Sequence, residues 1–187
     1  MLLTTARWGL ALILLTILGW RRLVDDWPTI RRNLPLLVSL GAIGFTVFNA
    51  ALYSALLYTT AINVSIEQAG IPMLIFLLNF AIFRIRVAWG QIVGFLMSIA
   101  GIVLTASHGN PASLLALDIN FGDLLMLGGC LVYAAYTVAL RFKPVIHWQS
   151  LMILLTASAL VTSLPFLAAE FQFGGGVVPD ARGWAII

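Results

Sequence analysis

The stretch IEQAGIPMLIFLLNFAIFRIR, residues 66–86, decides how the rest of the chain is read. Apart from Glu67, Gln68 and Asn79 it is apolar as far as Phe83, it holds Pro72, and it closes on Arg84 and Arg86. Extended back to Ala61 it is long enough for a helix to cross about 30 Å of hydrocarbon, which takes roughly 17 to 25 residues. A basic stop at one end of such a run is what a cytoplasmic membrane border looks like.

Working outward, five further apolar stretches occupy 2–20, 34–58, 87–107, 124–140 and 148–169. Over the whole chain 61% of residues are hydrophobic and 9% are charged, against about 25% charged in a soluble domain. Six consecutive all-round apolar helices would have no face to turn to water, so a soluble bundle is excluded. The alternating ten-residue segments of an outer-membrane barrel are absent from the sequence. The expected fold is an all-α polytopic membrane protein, a bundle of about six to seven transmembrane helices.

The connections alternate in charge. Arg21, Arg22, Arg31 and Arg32 lie after the first stretch, Arg84 and Arg86 after the third, and Arg141 with Lys143 after the fifth. The intervening connections YTTA and SHGNPASLLALDIN hold no Lys or Arg. Of the ten basic residues only Arg7 and Arg182 fall on the other side, so the basic connections are assigned to the cytoplasm. Spread over separate loops, these charges do not make a nucleic-acid surface. Trp8, Trp20, Trp27, Trp89, Trp148 and Trp184 all fall near predicted borders, as interfacial anchors do. Arg7 and the absence of a small-residue cleavage site argue against a cleaved leader. The Asn63-Val-Ser pattern lies at a membrane entry and is taken as coincidence.

The segments NAALYSALLYTTA, WGQIVGFLMSIAGIVLTAS and GDLLMLGGCLVYAAYTVALRF, with a proline-centred helix after the first, resemble the EamA-type permeases of the drug/metabolite transporter superfamily. The resemblance runs over roughly 6–184 and rests on diffuse small-residue and aromatic patterns. It implies ten helices built as two inverted five-helix repeats, with both termini cytoplasmic. On that plan the chain is a piece holding helices two to seven and the start of an eighth. It is then one transmembrane domain, 1–187, with an incomplete first repeat over 1–107 and the start of a second over 121–187. Relatives commonly carry an apolar or small residue where Glu67 and Gln68 stand here, and an acid where Arg84, Ile85 and Arg86 stand. The resemblance implies export of amino acids or related metabolites, in a prokaryotic plasma membrane.

Chemistry is sought first at Glu67. At 1.5 Å per residue it lies about 9 Å inside the border at Ala61, and Pro72 about 16 Å inside, near the midplane. Intramembrane acids face a cavity or a partner, and mark substrate or proton paths. Pro72 has no N–H for the Gln68 carbonyl, so a kink beside Glu67 is expected. Asn63 shares the Glu67 face, and Gln68 with Pro72 and Asn79 forms another about 100° away. Further candidates for a substrate or proton path are Asn49 and Tyr53, aligned with Thr46, and Tyr133, in a stripe with Met126, Cys130 and Thr137, with Tyr136 beside it. Each of these also reads as packing. Asp123 reads as a helix N-terminal charge favoured by the dipole. Gly90, Gly94, Ser98 and Gly101 have the spacing that lets membrane helices pack closely.

His108 and His147 sit at opposite membrane faces, and no hydrolase, zinc or phosphate-loop motif occurs, so no enzyme, metal site or cofactor is expected. Secondary transport by alternating access is expected instead, with the lipid bilayer, a small-molecule substrate and protons as partners, a homodimer being compatible with the pattern. A membrane scaffold with Glu67 in an interface is the alternative. The orientation is testable with Cys130 replaced by Ser. Cysteine at Tyr58 should react with an impermeant maleimide applied to intact cells, and cysteine at Lys143 only after lysis; the reverse pattern would invert the assignment.

Overall fold

The computed structural model describes residues 2–106 and 120–172; the predicted connection over 107–119, His108, Arg182 and Trp184 lie outside them. Among the described residues the chain is helical without strands. Its helices are α1 (Leu2–Arg32), α2 (Leu34–Gly41), α3 (Phe48–Ala55), α4 (Ala61–Gln68), α5 (Ile71–Phe83), α6 (Trp89–Ala106), α7 (Phe121–Ala139) and α8 (Trp148–Gln172). Five stretches are long and apolar enough to cross a membrane: Leu2–Arg32, Leu34–Ala55, Ala61–Phe83, Phe121–Phe142 and Trp148–Gln172. Helix α6 is apolar over Trp89–Ile102. Outward positions carry bare apolar side chains, Ile17 72% exposed, Leu18 74% and Met97 70% among them, a surface that hydrocarbon solvates and water does not. The chain is an all-α polytopic membrane protein.

Two compact units are present, 1–46 with 142–187, and 47–141. In the first, α1 and α2 pack on α8. Hydroxyl groups stitch the contacts: Thr5 Oγ1 donates to Ser163 Oγ at 3.2 Å, Ser158 Oγ to the Val38 carbonyl at 2.6 Å, and Thr46 Oγ1 to the Ala159 carbonyl at 3.1 Å. Thr46 lies in a π-helical turn, Ala42–Val47, that links α2 to α3. This turn and the bonds to α8 commit Thr46 to packing, so it does not extend the predicted Asn49 and Tyr53 line. Gly41 lets α2 reach α8, since a Cβ there would stand 2.6 Å from Ser158 Cβ and 2.7 Å from the Leu155 carbonyl.

In the second unit α7 packs on α3, α4 and α5 around Ala55, Val64, Met126 and Cys130. Gly122 brings the start of α7 onto the chain between α3 and α4; a Cβ would meet the Ala55 carbonyl at 2.6 Å and the Thr59 nitrogen at 2.9 Å. At the far end Arg141 donates to Asn79 Oδ1 at 3.1 Å and lies over the Phe83 ring at 4.8 Å, tying α5 to α7. Arg84 ends α5 in the left-handed conformation, φ 57°, its N–H on the Phe80 carbonyl at 2.9 Å.

One expectation is corrected. The segment 21–33, read as a loop from its charges, is helical through Arg32 with Pro28 inside it. Arg, Leu and Trp are compatible with helix, and the carbonyl that Pro28 leaves without a donor belongs to Val24, beyond the apolar core where water is at hand. Among the described residues a Cβ at Gly90, Gly94 or Gly101 would meet no atom beyond its own helix within 4 Å, and Ser98 donates to the Gly94 carbonyl of its own helix. Close approach is made at Gly41 and Gly122 instead. Alanine at Gly41 or Gly122 should lower stability by about 1–3 kcal/mol because backbone atoms must move, whereas Gly94→Ala should stay within about 0.5 kcal/mol. Unfolding by dodecyl sulfate in mixed micelles reads the difference; equal losses at all three positions would contradict the packing.

Candidate functional site

The site forms where α4 meets the start of α7. Thr60 caps α4, its Oγ1 accepting the Asn63 N–H at 3.2 Å, so the helix starts at Ala61, the predicted border. Asn120 caps α7, its Oδ1 accepting from Gly122 and Asp123 N–H, while Asp123 Oδ2 accepts the Asn120 N–H at 2.8 Å. This is a reciprocal capping box, and Asp123 is the helix N-terminal charge expected of it.

Asp123 does more than cap its own helix. Its Oδ1 accepts from Thr59 Oγ1 and, at 3.3 Å, from Asn63 Nδ2, while Asn63 Nδ2 also reaches Thr59 Oγ1 at 3.0 Å. A carboxylate that is 5% exposed thus has three donors and pins the first turn of α4 to α7.

Glu67, one turn further into the membrane on the same face as Asn63, is in the opposite condition. It is half-buried, and its Oε2 is fully enclosed with no hydrogen-bond donor among the described residues. Asn63 Oδ1 is likewise enclosed and without a donor.

Just beyond Glu67 the α-helical hydrogen bonding of the span is interrupted at Ala69 and Gly70, both of which keep right-handed helical dihedrals. Helix α4 ends at Gln68 and α5 begins at Ile71 with Pro72 as its second residue, where a missing N–H costs least. The Gly70 N–H turns back to the Glu67 carbonyl at 2.9 Å, and a Cβ on Gly70 would crowd that carbonyl at 3.1 Å.

The other candidates are distributed along the unit. Gln68 is half-buried and makes no side-chain hydrogen bond among the described residues; Asn49 is half-buried on α3, and Tyr53 is 37% exposed. Tyr133 sits between Phe48 and Tyr136, ring centres 4.8 and 5.6 Å away, with Tyr136 buried. Of the predicted set the structure joins Asn63 and Glu67 along one face and adds Asp123 and Thr59. Thr59 was not anticipated; a threonine at the lip of a helix opposite an Asn-x-x-Asp cap is the signal that points to it. No group of three or more His, Cys, Asp or Glu gathers as metal ligands among the described residues.

Five helices of membrane-crossing length and composition among the described residues define a multi-pass integral membrane protein. Residues 1–107 match the EamA-like transporter family, and the chain belongs to that family. It is 28% identical over 109 residues to a Bacillus subtilis (strain 168) protein described as "Uncharacterized transporter YyaM", an alignment covering 58% of this chain and 36% of that relative. The chain thus matches little more than a third of the relative's length. No solved structure matches it significantly.

The hub is testable by stability. Asp123→Ala strips three donors of their acceptor and should cost about 2–3 kcal/mol, with Asn63→Ala costing about 1 kcal/mol. A double-mutant cycle between Asn63 and Asp123 in mixed micelles should show coupling of about 1 kcal/mol; strictly additive losses would separate the two residues.

Proposed function

We propose that the chain is part of a secondary transporter that exports small metabolites, amino acids or amphipathic compounds across a prokaryotic plasma membrane by alternating access, driven by protons through Glu67. The observation that carries this is the enclosed Glu67 Oε2, with no donor, beside a break in a membrane-spanning helix. Broken spans at mid-membrane depth are where transporters hold substrate and coupling ions, and an acid inside hydrocarbon costs a few kcal/mol unless it serves a partner or a path. Family membership supports the same class, and the repeat division at 1–107 and 121–187 belongs to the proposal.

Asp123 is kept out of the coupling role because its donors are already supplied by Thr59, Asn63 and Asn120. Glu67 is left to exchange partners. Its carboxylate accepts a proton or the amino group of a substrate, and Asn63 Oδ1 offers a neighbouring acceptor on the same helical face.

Reconstitution of the full-length protein into proteoliposomes, with a panel of amino acids and amphipathic amines, tests this. Wild type should accumulate a substrate under an imposed pH gradient, and Glu67→Gln should lose accumulation by about tenfold or more while folding normally. Downhill flux retained in the variant assigns Glu67 to protons, and flux lost altogether assigns it to the substrate. Wild-type accumulation in Glu67→Gln would remove Glu67 from the mechanism, and no flux of any compound would favour a scaffold.

A further inference from the structure

The cytoplasmic half of α1 holds a feature that transport does not use. Its apolar run over 2–20 rises about 28 Å at 1.5 Å per residue, so Trp20 stands at the hydrocarbon border and the following turns lie at headgroup level. The helix continues unbroken through that layer to Arg32. There Trp20, Arg21, Val24 and Asp25 line a shallow, open surface groove of about 300 Å³. All four are exposed, Trp20 by 59% and Val24 by 53%.

Arg21 and Asp25 stand one turn apart, at the spacing where opposite charges on a helix meet, in the less favourable order with the base first. Neither forms an ion pair or hydrogen bond among the described residues. The neighbouring Asp26 is engaged elsewhere, its Oδ2 accepting the His147 N–H just before α8 at 2.8 Å. The groove therefore offers one free cation, one free anion and an apolar floor between them.

We propose that this groove binds the headgroup of an aminophospholipid of the cytoplasmic leaflet. The phosphate sits on Arg21, whose guanidinium matches two phosphate oxygens at once. The primary ammonium sits on Asp25, and the glycerol and first acyl carbons lie on Trp20 and Val24. A phosphatidylglycerol headgroup would satisfy Arg21 and leave Asp25 facing added negative charge. A choline headgroup has no N–H to give the Asp25 carboxylate. Only a headgroup with both a phosphate and a primary ammonium satisfies both side chains.

The purified protein in nanodiscs, with retained lipids counted by native mass spectrometry, tests the assignment. Phosphatidylethanolamine should be retained about tenfold over phosphatidylcholine or phosphatidylglycerol, the loss expected when one charge-assisted pair goes unmade. Arg21→Gln and Asp25→Asn should each erase that preference, and Arg22→Gln should not. Circular dichroism and melting in phosphatidylcholine nanodiscs should be the same for all variants, which excludes misfolding. Equal retention of the three lipids, stronger retention of phosphatidylglycerol, or an unaffected preference in Asp25→Asn would overturn the proposal. So would displacement of the bound lipid by soluble phosphoethanolamine at stoichiometric concentration, which would make the site one for a soluble ligand.

Discussion

Pro72 cannot give the Gln68 carbonyl its hydrogen bond, and hydrocarbon has no water to supply one. The span Ala61–Phe83 answers by ending one helix at Gln68 and starting another at Ile71, with the proline placed where its missing N–H is not needed. Everything about the site follows from that break. It sets Glu67 in the last turn of α4 at a depth where an acid must be accounted for, and it leaves α4 a short helix of eight residues that cannot hold its place alone. The Asp123 hub supplies the hold, fastening the first turn of α4 through Thr59 and Asn63. Gly122 makes the approach possible, because any larger residue would strike the Ala55 carbonyl.

Two carboxylates thus share one stretch of the bundle under opposite conditions. Asp123 is surrounded by donors, and its charge is spent on structure. Glu67 has an enclosed oxygen with none among the described residues, and so has Asn63 one turn earlier on the same helix. Unsatisfied acceptors in a low-dielectric setting are costly, which is the physical ground for the role proposed for Glu67. The difference between the two acids is a difference of neighbours and not of residue type.

Much of this was legible in the sequence because hydrocarbon imposes a plain signal. Apolar runs bounded by arginines mark membrane spans whatever the tertiary packing, and Glu67 and Pro72 stand out against such a background. The 21–33 segment was misread because its charges look like a loop, although at headgroup level a charged helix meets no penalty. Close approach at Gly41 and Gly122 left no spacing signal in the sequence, because it depends on which residue of the partner element stands opposite. Thr59 and the double role of Asp123 were hidden because a bond across 64 positions leaves no periodic trace. The π-helical turn at Ala42–Val47 was hidden for the same reason, since its Thr46 hydroxyl donates to the Ala159 carbonyl of a helix more than a hundred residues away.

The central claim is that Glu67, held at a helix break by the Asp123 hub, exchanges a proton as substrate crosses. Vesicles containing the full-length protein and a trapped pH dye test it most directly: a transported substrate is added and internal pH is followed. Wild type should show a substrate-evoked pH change that Glu67→Gln abolishes while Asp123→Asn, where it folds, retains it. A pH change of wild-type size in Glu67→Gln would contradict the account.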